Sequence, residues 1–126
     1  MKDNNKRTIL VVEDEPFVQM LLRDFLEEEN YAVFSANDAQ TALDLLRAER
    51  EIALLLTDVG LPDMNGRALA DAARKVRPSL PILFATGYGD EHEGLREPLD
   101  IRMAIIAKPF DMQRLAQVIR SLLQDK

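Results

Sequence analysis

The sequence has no cysteine, no tryptophan and a single histidine. Without cysteine there can be no disulfide, no thiolate nucleophile and no Cys-ligated zinc or iron–sulfur centre. Neither G-x-x-x-x-G-K-[ST] nor G-x-G-x-x-G occurs, which argues against nucleotide binding in the P-loop or Rossmann manner. A flavodoxin-like cofactor binder is disfavoured for the same reason, and because no tryptophan is available for stacking. No apolar run approaches the roughly 20 residues that span a bilayer. Residues 1–7 form a polar N-terminal segment without the apolar stretch of a signal peptide. Basic residues are also short: 16 Lys and Arg against 22 Asp and Glu leave a net charge of −6. That balance argues against a nucleic-acid grip, which needs a basic patch to displace counterions. The expectation is a cytoplasmic domain with neither nucleic acid nor membrane as partner.

What is present is a full set of apolar segments. The chain has 126 residues, 47% of them hydrophobic, which suits one domain over 1–126 with a proper core. Ile9, Leu10, Val11 and Val12 form a continuous apolar run, as in a strand buried on both faces. Pro16 suits the first turn of a helix in which Val18, Leu21, Leu22, Phe25 and Leu26 share one face. Residues 31–34 are the second strand. Asp38 caps a helix with Ala39, Ala42, Leu43 and Leu46 inward. Residues 53–56 are the third strand, and Leu69, Ala72, Ala73 and Val76 stripe the next helix. Pro78 and Pro81 separate that helix from a strand at 82–85. Residues 103–107 form the last strand, followed by a helix capped by Asp111 with Leu115, Val118, Ile119 and Leu122 inward. Residues 87–100 are glycine-rich and poor in apolar contacts, with room for one short helix over 90–97. Five strands alternating with helices predict an α/β fold, a parallel sheet covered on both faces. Ligands of such sheets bind beyond the carboxyl ends of the strands, where the strand order reverses.

The chemistry stands at those ends. Glu13, Asp14 and Glu15 follow the first strand, Thr57 and Asp58 end the third, Thr86 and Gly87 end the fourth, and Lys108 and Pro109 follow the fifth. Neighbouring first and third strands would bring Glu13, Asp14 and Asp58 into one pocket. Two unit charges about 4 Å apart repel by about 4 kcal/mol at the effective dielectric near a protein surface. Three carboxylates therefore need a cation, and a hard divalent ion with oxygen ligands fits best. Such an ion with a lysine and a hydroxyl can neutralise a phosphoryl group while an aspartate serves as nucleophile. Glu15 is set apart as an acid favoured by a helix start, and His92 as a solvated loop residue.

These residues resemble the receiver domain of two-component response regulators. The matching elements are Val11-Val12-Glu13-Asp14-Glu15, the run from Leu56 through Asp58 to Pro62 with Asn65-Gly66, Phe84-Ala85-Thr86-Gly87, and Lys108-Pro109-Phe110. The resemblance covers the whole chain in order, and implies a flavodoxin-like doubly wound sheet of order 2-1-3-4-5. It implies Asp58 as phosphoacceptor, Asp14 as direct Mg2+ ligand, Glu13 as a partner through water and the Val59 carbonyl as a further ligand. Thr86 and Lys108 would hold the phosphoryl group, with a cis bond between Lys108 and Pro109. Gly60 and Tyr88 occupy positions that influence phosphoryl lifetime. Two departures stand out. Ile105 replaces the strand-5 aromatic frequent in the family, and Gly87-Tyr88-Gly89 is unusual, leaving Tyr88 as the nearby aromatic. The expected function is a phosphoacceptor, not an enzyme acting on others, that transfers to and hydrolyses from its own Asp. A histidine kinase or histidine phosphotransfer protein would be the donor. A protein effector would meet the face of the fourth helix, fifth strand and fifth helix. The alternatives are a phosphate sink without effector and a receiver excised from a hybrid kinase.

Overall fold

The computed structural model describes residues 6–87 and 102–124. In chain order they form β1 (Thr8–Val12), α1 (Pro16–Glu28), β2 (Ala32–Ala36), α2 (Ala39–Ala48), β3 (Ile52–Asp58), α3 (Gly66–Val76), β4 (Ile82–Thr86), β5 (Met103–Ala107) and α4 (Met112–Leu123). The strands make one parallel sheet in the order β2-β1-β3-β4-β5. The expected order is therefore observed. The chain steps outward from β1 to β2 and then crosses back to β3, so the crevice opens beyond the ends of β1 and β3.

Alternation along each strand divides the core in two. Leu10, Val12, Leu55, Ile82 and Phe84 pack with Ala39, Ala42, Leu43 and Leu46 of α2 and Leu69, Ala70 and Ala73 of α3. Ile9, Val11, Leu54, Leu56, Leu83 and Ala85 pack with Leu22 and Leu26 of α1 and Leu115, Ile119 and Leu123 of α4. Helices on both faces explain why the strands are apolar throughout rather than alternating.

The caps follow from residue chemistry. Glu15 precedes Pro16 and accepts the Phe17 N–H, Asp38 accepts that of Thr41, and Asp111 accepts those of Gln113 and Arg114. Asn65, not anticipated as a cap, does the same for Ala68 of α3. The Lys108–Pro109 bond is cis.

Several bounds and faces differ from expectation. The second strand lies at Ala32–Ala36 rather than 31–34, because Ala36 pairs with Val12 and accepts the Glu13 N–H. The third runs through to Asp58, whose register partner is Ala85. Leu21 was placed inward but is 39% exposed, beside Phe17 at 62% and Met20 at 52%. The reason is that α1 shares its face of the sheet with α4, so only the narrow Leu22–Leu26 line is fully covered. On α4, Ala116 and Leu123 are buried while Val118 and Leu122 are half-buried. The expected helix over 90–97, Tyr88 and His92 lie outside the described residues.

Candidate functional site

Three strand ends deliver the charged groups. Glu13 and Asp14 leave the end of β1, Asp58 is the last residue of β3, and Lys108 follows β5. One carboxylate oxygen from each of Glu13, Asp14 and Asp58 lies within 4.8 Å of the others. Lys108 sits between two of them, its Nζ donating to Asp58 Oδ1 at 3.1 Å and to Glu13 Oε1 at 3.3 Å.

The three acids are not equivalent. Glu13 is 2% exposed, and its second oxygen, Oε2, accepts the Glu15 N–H at 3.0 Å. Burial pushes its pKa above the ordinary glutamate value, and the Asp58 charge adds to that. The Glu15 N–H and Lys108 oppose the shift without cancelling it. Burial likewise acts to lower the Lys108 pKa, but the Asp58 and Glu13 carboxylates prevail and it is raised. Asp58 is 8% exposed, and its Oδ2 has no hydrogen-bond partner among the described residues. Asp14 is exposed and likewise unpartnered there. Three oxygen donors with one lysine leave the pocket acidic, and that donor set fits a hard divalent cation.

Surrounding groups complete the rim. Thr86 ends β4 one residue beyond Ala85, the partner of Asp58 in the register. Its carbonyl accepts the Lys108 N–H at 2.8 Å, while its hydroxyl makes no bond among the described residues. Ile105 is half-buried on β5 opposite Phe84. Gly87 and Pro109 lie beside Thr86 and Lys108, and Gly60 is exposed with open space around the position of a Cβ.

Val59 directly follows Asp58 at the end of β3. Its carbonyl, expected to be a metal ligand, accepts the Gly66 N–H at 2.6 Å, and the residue is wholly buried. That bond closes the β3–α3 loop and engages one of the oxygen's two lone pairs. Closure is tight: a Cβ on Gly66 would lie 2.6 Å from the Asp58 carbonyl oxygen and 2.9 Å from Val59 Cα.

Two residues emerge that sequence reasoning did not single out. Asp63 accepts the Ala39 and Gln40 N–H groups, both at 3.0 Å, and so binds the β3–α3 loop to the start of α2. Nothing local signals this, because the partners are 24 and 23 residues away. Gln19 bonds the loops after β1 and β2. Its signal was available: it stands at i−3 and i−7 from Leu22 and Leu26, a polar residue on the buried line of α1.

The sheet order and the acidic crevice define the class, a doubly wound flavodoxin-like domain with an oxygen-donor pocket at its switch point. Residues 9–120 match the response regulator receiver domain family. The chain belongs to that family, whose members are the receivers of two-component signalling. It is 30% identical over 93% of its length to the sensor kinase CckA of Brucella abortus, of which it covers 12%. It is 32% identical over 92% of its length to the transcriptional regulatory protein SrrA of Staphylococcus aureus, of which it covers 47%. The chain thus spans less than half of these two relatives. A CheY-like receiver domain protein from Methanospirillum hungatei superposes with a TM-score of 0.82 at 31% identity, over 94% of both chains. No helix among the described residues is long and apolar enough to cross a membrane.

Proposed function

We propose that Asp58 accepts a phosphoryl group from a phosphohistidine donor, a histidine kinase or phosphotransfer protein, in the presence of Mg2+. The observation that carries this reading is Asp58 itself. It is a nearly buried carboxylate with one oxygen held by Lys108 and the other unpartnered among the described residues, in the same pocket as Glu13 and Asp14.

In the transfer, Asp58 Oδ2 attacks phosphorus, a P–O bond forms and the P–N bond breaks. Its electron pair returns to the donor imidazole, leaving an acyl phosphate. Lys108 already neutralises Asp58 and would pair with the added charge, and the Thr86 hydroxyl would donate to a phosphoryl oxygen. Asp14, with no partner among the described residues, would be the direct ligand of the ion. Glu13, with both oxygens engaged, would act through water. Bound Mg2+ supplies charge neutralisation for the transferring group. Hydrolysis of the acyl phosphate returns Asp58, so the chemistry falls on the domain's own side chain rather than on an external substrate.

Delivery requires a docking surface next to the pocket. Phe17, Met20 and Leu21 present exposed apolar side chains on α1, which begins two residues after Asp14. This face is where an apolar surface of the donor protein would sit. Signal output would be a protein contact on the β5–α4 side, where β5 is an edge strand.

Incubation with Mg2+ and a small phosphodonor, read by intact mass, should give one phosphoryl adduct on the wild type and none on Asp58→Asn. No adduct on the wild type, or an equal one on the variant, overturns the proposal. Met20→Glu should lose transfer from a protein donor and keep it from the small one.

A further inference from the structure

Gln19 carries more hydrogen bonds than a polar residue on a helix surface needs. Its side-chain nitrogen donates to the Glu13 carbonyl at 2.9 Å, to Asn37 Oδ1 at 2.8 Å and to the Ala36 carbonyl at 3.3 Å. All three partners are oxygens, so only a donor satisfies this position. They belong to two segments, the turn after β1 and the end of β2 with the turn that follows.

The Glu13 carbonyl is half of the planar peptide group that joins Glu13 to Asp14. Gln19 therefore fixes the orientation of the plane from which Asp14 departs. The other side of Glu13 is fixed as well, because its N–H donates to the Ala36 carbonyl at 3.0 Å, the same oxygen Gln19 touches. The Glu13 carboxylate is held by Lys108 and the Glu15 N–H. Asp14 alone has no side-chain partner among the described residues, so its direction depends on the backbone that carries it.

We propose that Gln19 is a positioning residue of the cation pocket. It clamps the Glu13–Asp14 peptide so that both carboxylates meet Asp58, and it ties the pocket to the turn after β2. The inference rests on the metal reading above, but the clamp itself can be tested without metal. Gln19→Glu keeps the shape and sets a carboxylate against three acceptors. Gln19→Arg keeps an N–H donor, the Nε, at the same distance along the side chain. Gln19→Ala removes the donor without adding charge. Leu46→Ala, in the buried core of α2, controls for loss of stability alone.

Calorimetric titration with Mg2+ should show Gln19→Glu binding about tenfold or more weakly than wild type, the range for residues that orient metal ligands. Gln19→Ala should fall between, Gln19→Arg should stay close to wild type, and Leu46→Ala should lose stability but not affinity. Wild-type affinity in Gln19→Glu, or an equal loss in Leu46→Ala, overturns the proposal. If Gln19→Glu fails to fold, the Ala and Arg variants decide: Ala must weaken binding and Arg must not. If the wild type binds no Mg2+, the metal reading fails, and the clamp is judged by amide hydrogen exchange in metal-free protein. There the Glu13 and Glu15 amides should exchange faster in Gln19→Ala than in wild type. Unchanged exchange would overturn the clamp.

Discussion

The two rims of the sheet satisfy their backbone groups with opposite charges. Where strands end and helices begin, carboxylates and an amide accept N–H groups: Glu15, Asp38, Asn65 and Asp111 as caps, and Asp63 across to α2. At the other rim, arginines donate to carbonyls. Arg77 reaches the carbonyls of Arg50 at 3.1 Å and of Ile52, and Arg74 that of Leu80 at 2.7 Å. Arg102 reaches those of Leu122 at 3.0 Å and Gln124 at 3.3 Å, and Arg7 that of Leu123 at 3.2 Å. Parallel strands with crossover helices put every helix N-terminus at one rim and every C-terminus at the other. Orphan N–H groups and the positive dipole end attract acids to the first, and orphan carbonyls attract cations to the second. Two acidic groups at the first rim are left over from this use. Asp14 and Asp58 Oδ2 accept no N–H among the described residues, and they face each other across the switch point.

This contrast can be broken from either rim, and the largest effect belongs to the loop that follows Asp58. Gly66→Ala forces a Cβ against two backbone atoms and should destabilise by about 3 kcal/mol, the upper end for overpacking. Gly60→Ala in the same loop meets nothing and should stay within about 0.5 kcal/mol. Urea denaturation of the pair measures the difference. At the opposite rim, Arg77→Ala strips donors from two carbonyls and should cost about 2 kcal/mol. It should leave Mg2+ binding intact, so a loss of Mg2+ affinity there would show that the rims are coupled.

Asp14→Asn has the opposite sign. Relief of carboxylate repulsion at an exposed position should raise metal-free stability by about 1 kcal/mol. The variant should also lose the rise in melting temperature expected of the wild type in millimolar Mg2+ by mass action. A wild-type melting curve unmoved by Mg2+ would contradict the acidic pocket.

The smallest effect concerns Asp63. The Ala39 N–H, first, and that of Gln40 hold its pKa below the ordinary value of 3.8. A lowered acid pKa contributes stability that is present above 3.8 and lost as pH falls through the folded-state value. Wild type should therefore lose slightly more stability on acidification than Asp63→Asn, and only below about pH 4. Thermal melts of the two proteins across that window check the sign. Exposure to solvent keeps the difference small.

Much of this was legible in the chain. Strands covered on both faces must be apolar throughout, so the runs at 9–12 and 82–85 announced themselves, and an acid ending such a run was bound for the rim. Asp38 and Asp111 were legible as caps because a cap bonds within three residues of itself. The Val59–Gly66 bond was not legible, because it is chosen by the closure of the loop. Leu21 was misplaced because periodicity shows where an apolar face lies and not how much of it a neighbouring helix leaves open.

The sequence by itself determined which residues form strands and helices, which ends those helices cap, and that acids collect after strands 1 and 3. These follow from interactions local in the chain. Only the tertiary structure decided that Lys108 would lie between Glu13 and Asp58, 95 and 50 residues away, that Asp63 would bind α2, and that Gln19 would join two turns. Those contacts depend on the order in which strands pair and helices cross over, and a hydrogen bond with a reach of about 3 Å forms only once that order is set.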